Sequence, residues 1–253
     1  METLSANTLF HFTNSIDNIE NILVNEFCPR YSLENLSPIA NNSSFEVAIP
    51  MVSFCDIPLS QIKNHIKYYG HYAIGLKKEW GIKRKINPVF YLYKDSATAD
   101  YIKGIFDTLK HEKDKEISLQ PTLLNSIYLM QFIKPYEGKL WKNEKYIDES
   151  IRFYDEREWR YVPHLEGADG RTSILGKANF LDIKSRQKET EKLKDKKLSF
   201  EPNDIKYIIV EKEKEILPIV KKIRDIKGDK YSMKDIDILV TRIISMEQIK
   251  EDF

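Results

Sequence analysis

Two cysteines, nine glycines and no apolar run of membrane length are what this sequence of 253 residues is short of, and each shortage narrows the reading. With only Cys28 and Cys55, far apart along the chain, there is no disulfide framework of a small secreted scaffold, and a reducing, cytoplasmic setting is expected. No stretch approaches the ~20 apolar residues of a spanning helix, and no leader-like start is legible, so neither membrane insertion nor export is expected. An excess of one charge is also missing. Lys and Arg number 40 against 39 Asp and Glu, a formal net charge of +1, so no global basic field draws the protein to nucleic acid, although a local basic patch remains open. What is present, 42% hydrophobic and 31% charged residues with few glycines, is the composition of a folded chain rather than a low-complexity one. The length is near the upper end for one core, so a single domain over 1–253 with an insertion is expected.

Along the chain, Thr8-Leu-Phe-His-Phe-Thr13 reads as a short aromatic strand, followed by Asn14-Ser15 as a cap and a helix carrying Ile16, Ile19, Ile22 and Leu23. Alternation puts His11 and Thr13 on one strand face and Phe10 and Phe12 on the other. From Phe27 to Asn42 the chain reads as an irregular excursion in which Arg30 and Tyr31 could touch an anionic or ring-shaped ligand. Val47 to Pro58 reads as a buried strand broken by Pro50, with Ser53 as its small polar residue, either paired to backbone or facing a pocket. A helix over Leu59–Tyr69 should end at Gly70, and strands are expected at Tyr72–Leu76 and Val89–Tyr93. Residues 94–150 read as a helical insertion containing the charge run Lys110–Glu116. Gly167–Lys197 reads as a mobile loop with one short strand near Ala178–Leu181. Residues 198–253 close the chain as a strand, helix, strand unit whose last strand spans Ile238–Ile244.

The densest charge and aromatic pattern is Tyr154-Asp-Glu-Arg-Glu-Trp-Arg-Tyr-Val-Pro163. Read as one strand, it places Glu156, Glu158 and Arg160 on one face and Trp159, the expected core anchor, on the other. A pair of carboxylates beside a guanidinium is what a site needs to hold one acid next to a cationic or polarised substrate; it is also how an edge strand defends itself by charge. No metal is expected. Adjacent strand residues point opposite ways, leaving at most two carboxylates on a side, and His65 and His71 lack zinc-ligand spacing.

Taken together, Leu9-Phe-His-Phe-Thr13, Ala48–Ser60, Tyr69–Leu76, Asn87–Leu92 and Tyr154–Pro163 resemble the AbiGi family, linked to abortive phage infection and described as an antitoxin. More distantly, the order His-x-Thr, serine-bearing strand, then glutamate on a later strand is similar to ADP-ribosyltransferases. That likeness implies an α+β fold of split, mixed and antiparallel sheets flanked by helices, with NAD as substrate. It implies Glu158 as the catalytic acid and Glu156 as orienter of the acceptor. His11 and Thr13, with Phe12 between them, would set the ribose, Ser53 would brace the ribose or Glu158, and Arg30 or Tyr31 would contact phosphate or ring. Cleaving the nicotinamide–ribose bond develops oxocarbenium-like charge, which a carboxylate beside the ribose stabilises.

Three functions follow. One is ADP-ribose transfer from NAD to a protein or nucleic-acid acceptor in phage defence. A second is a non-catalytic antitoxin of the same fold that binds and neutralises a partner toxin. A metal nuclease built on Asp155, Glu156 and Glu158 ranks last.

Overall fold

The first strand of the computed structural model, β1 (Thr8–Thr13), leads through the Ser15 cap into α1 (Ile16–Asn25), as the sequence predicts; Ser15 Oγ accepts from the Asn18 amide at 3.3 Å. The structure describes residues 6–40, 45–112, 121–142, 144–164 and 174–252. The Asn41–Ser44 run, the end of the charge run after Glu112, and Gly167–Ser173 lie outside them. After α1 come β2 (Arg30–Asn35), β3 (Glu46–Cys55), α2 (Ile62–Tyr69), β4 (Tyr72–Lys77), α3 (Lys78–Lys83), β5 (Asn87–Pro88) and β6 (Phe90–Leu92). Then follow α4 (Ala97–Glu112), α5 (Pro121–Met130), β7 (Ile133–Pro135), β8 (Gly138–Lys142), β9 (Lys145–Ile151) and β10 (Glu158–Tyr161). The remainder is β11 (Leu175–Gly176), α6 (Lys177–Leu181), α7 (Ile183–Glu191), β12 (Ile205–Val210), α8 (Ile216–Lys227), α9 (Met233–Val240), β13 (Ile243–Ser245) and α10 (Met246–Asp252). The fold is α+β with antiparallel and mixed sheets, and among the described residues no helix is long and apolar enough to cross a membrane.

The chain divides into two compact units. The first gathers Met1–Cys28, Ser53–Asn87 and Lys197–Phe253. Its central strand is β4, apolar from Tyr72 to Leu76 and buried over those five residues, as a strand covered on both faces must be. β1 pairs antiparallel along one side of it, from Thr8 opposite Lys77 to Thr13 opposite Tyr72, and β12 along the other, with parallel β13 beyond. Phe10, Ile62, Ile66, Ala73, Ile209, Met246 and Ile249 fill the core beneath. Gly70 ends α2 at φ +101°, and Gly75 faces Phe10, whose ring would stand 2.6 Å from any added Cβ.

The second unit gathers Pro29–Val52 and Pro88–Lys196. Here β3 carries β2 antiparallel, Tyr31 opposite Pro50, and also β11, whose ladder stops at Ala48, two residues short of Pro50. The strand therefore runs through its proline instead of breaking there. β6 and β7 pair in parallel, β8 and β9 antiparallel, and Leu36, Ile39, Ile49, Met51, Leu92 and Ile133 pack one core cluster.

Four further expectations are corrected. The excursion from Phe27 contains the regular strand β2, in which Tyr31 and Leu33 are buried while Arg30 and Ser32 are exposed, an alternation of period two. The described part of Gly167–Lys197 is largely helical, and Ala178–Leu181 is helix α6, not a strand; α7 is polar almost all round and so shows no periodicity to read. The run Ile238–Ile244 is split by a turn between α9 and β13, because a short apolar run suits helix and strand alike. Within 94–150, α4 and α5 occupy the first part, but residues 133–151 form β7, β8 and β9.

Candidate functional site

The stretch 154–163 is not one strand. Phe153–Glu156 forms a turn of 3-10 helix, Arg157 adopts the left-handed conformation at φ 46°, and only Glu158–Tyr161 is extended. Its faces are reversed from expectation. Glu158 and Arg160 are the buried side, at 4% and 0% exposure, whereas Trp159 and Tyr161 are half-buried. Charge, not the indole, is sealed into this unit, and such burial is tolerable only when every charge is paired and hydrogen-bonded.

The pairing is dense. Arg160 donates from Nε to Glu158 Oε1 at 2.6 Å, and from Nη2 to Glu158 Oε2 at 3.1 Å and Glu34 Oε1 at 2.8 Å. Its Nη1 donates to the Gln131 carbonyl at 2.9 Å. Lys134 Nζ bridges the two acids, 2.7 Å from Glu156 Oε2 and 2.7 Å from Glu158 Oε2, and stands 4.7 Å from the centre of the Phe153 ring. Backbone fixes the strand as well: the Glu158 amide donates to the Tyr91 hydroxyl at 2.8 Å, and its carbonyl accepts from the Val89 amide at 3.0 Å. Burial alone would raise the Glu158 pKa, but the Arg160 guanidinium and the Lys134 ammonium outweigh it and hold the carboxyl far below the usual carboxylate range. Burial likewise pushes the Tyr91 phenol up, so it stays protonated.

Glu158 is thus a carboxylate with three donor contacts, from Lys134 and Arg160, on its two oxygens. At 4% exposure it offers a sugar or an acceptor no open approach. Sequence reasoning missed Lys134 and Glu34. The signal for Lys134 was there: a lone lysine inside the apolar run Phe132-Ile-Lys-Pro135, where a charge needs a buried partner.

The other candidates divide between the units. In the first unit, His11 Nδ1 lies 2.9 Å from the Ser53 carbonyl oxygen, with its ring 5.2 Å from Phe27 and 5.8 Å from Phe54, edge-on to both. Thr13 Oγ1 accepts from Asn18 Nδ2 at 2.7 Å, tying the end of β1 to α1. The Phe12 ring stands 4.8 Å from His65, whose Nε2 is 2.9 Å from Cys55 Sγ. So His11 and Ser53 are brought together, while the Thr13 hydroxyl bonds to a helix residue. In the second unit, Glu156 meets Glu158 on Lys134, and Arg30 and Tyr31 open β2, the first exposed and the second buried.

Residues 25–211 match the family described as "Putative abortive phage resistance protein AbiGi, antitoxin". The chain belongs to the AbiGi family. It is 31% identical over 249 residues to "Abortive phage resistance protein AbiGi" of Lactococcus lactis subsp. cremoris, an alignment spanning 90% of this chain and 99% of that relative. No solved structure matches. The AbiGi match takes in the whole buried ion cluster, from Glu34 to Arg160, and Ser53, whereas His11, Phe12 and Thr13 precede it. The function the family carries is resistance to phage by abortive infection.

Proposed function

We propose that this AbiGi protein is the antitoxin arm of a cytoplasmic phage-defence pair, binding and neutralising a partner toxin without chemistry of its own. The observation that carries this reading is the burial of Glu158: a carboxylate paired with Arg160 and Lys134 and only 4% exposed is a structural fixture, whereas a glycosyl-transfer acid needs to be reached by the ribose. The description of the family as an antitoxin points the same way.

The test pairs neutralisation with chemistry. A toxin encoded in the same operon is expressed alone and with this protein, and growth and a co-purifying complex are measured; His11→Ala should leave both intact. The purified protein is also incubated with labelled NAD and with protein and RNA acceptors. Release of nicotinamide, or label transfer that His11→Ala and a folded Glu158→Gln both abolish, would establish ADP-ribose transfer instead.

A further inference from the structure

The second unit holds a cleft of about 580 Å³ whose walls are supplied by the start of β2 and by α6 and α7. Arg30, Arg186 and Lys188 bring three cations to it, and Tyr31 and Phe180, each 8% exposed, bring two rings. The Arg186 guanidinium lies 5.2 Å from the centre of the Phe180 ring. Among the described residues, none of these three cations is in an ion pair. The acids of the same helix are engaged elsewhere: Glu189 with Lys192 at 2.6 Å, and Glu191, on the cleft wall, with Lys194. The cleft lining therefore carries three cations against the one carboxylate of Glu191, an excess of positive charge in a chain whose total is only +1. Burial, with the Glu189 charge behind it, pushes the Tyr31 phenol up to about 12, which leaves it a neutral donor.

The geometry points to a binding site for a nucleoside polyphosphate, its phosphates held by Arg30, Arg186 and Lys188 and its base set against the edges that Phe180 and Tyr31 leave exposed at the cleft. Two guanidinium forks suit phosphate oxygens, and the volume lies in the range that encloses one small ligand rather than a polymer. The assignment does not rest on partner binding.

The test is a fluorescence titration of the full-length protein with a fluorescent ADP analogue. Saturable binding is expected, weakened about tenfold or more by Arg30→Ala and by Arg186→Ala, the scale for losing a charged hydrogen bond. Melting should stay unchanged, since neither arginine is buried. Unlabelled ADP should displace the probe better than adenosine or inorganic tripolyphosphate. The assignment is overturned if both variants bind as the parent does, or if tripolyphosphate competes as well as ADP. It is also overturned if a single-stranded RNA displaces the probe at lower concentration than ADP, which would make the cleft a strand-binding groove.

Discussion

Glu158 and Arg160 stand two residues apart on one short strand, both sealed from water, and grip each other through paired contacts of 2.6 and 3.1 Å. Side chains at that spacing share a face, so the pair lies along the strand rather than across it.

Removing one partner of such a pair leaves the other charged and buried. Glu158→Ala should cost about 3–5 kcal/mol, the scale for an uncompensated buried charge. Trp159→Ala, which empties a half-buried position, should cost less. Urea unfolding of both variants measures the order; an equal or larger loss at Trp159 would mean the indole, not the ion cluster, anchors the strand.

Lys134 serves two acids, so its loss should not be additive with theirs. Lys134→Met alone should be strongly destabilising, again by about 3–5 kcal/mol. Adding Glu156→Gln should recover part of it, with a coupling of about 0.5–3 kcal/mol between neighbours in one network. A double-mutant cycle by chemical unfolding reads this directly; strict additivity would show that the bridge contributes nothing.

The lowered pKa of Glu158 fixes a sign. Because its folded value is below the ordinary glutamate value of 4.5, its contribution is fully present above that pH and is lost progressively as the pH falls below it toward the folded value. Melting temperature followed on the acid side should drop less steeply in Glu158→Gln than in the parent.

Two glycines should respond oppositely to alanine. At Gly70, φ is +101° and a new Cβ would sit 2.2 Å from the Thr13 carbonyl oxygen, so Gly70→Ala should destabilise by at least the 1–3 kcal/mol (about) of backbone strain. At Gly104, inside α4 and with nothing within 4 Å, Gly104→Ala should stabilise by about 0.5–1 kcal/mol. Thermal melts of the two variants should move in opposite directions.

The thiols should separate kinetically. Cys28 is exposed and Cys55 is buried against His65. A colorimetric thiol reagent should therefore label one site at once and the second only on unfolding; labelling of Cys28→Ser at the fast rate would contradict this.

Much of the first unit was legible because its signals are local: the Ser15 cap, the Gly70 stop and the apolar run at β4 each declare themselves within a few residues. The ion cluster was half legible. The acids and Arg160 are adjacent in sequence, but Lys134 lies 22 residues before Glu156, and Glu34 lies 126 before Arg160, distances across which periodicity says nothing. Alternation named the right face of β10 but not which face was inside, since a charged face reads as outward until its partners are known. The left-handed Arg157 was hidden too, because a non-glycine residue gives no composition signal for that conformation.

The three-part makeup of the first unit bears on synthesis. β4, whose two neighbours are β1 and β12, has one of them only after residue 205 has left the ribosome, whereas the segments of the second unit have all been made by Lys196. On the ribosome, β4 must therefore wait, with one edge unpaired and exposed to chaperones, for the carboxy-terminal segment, while the later-starting unit has the earlier opportunity to fold.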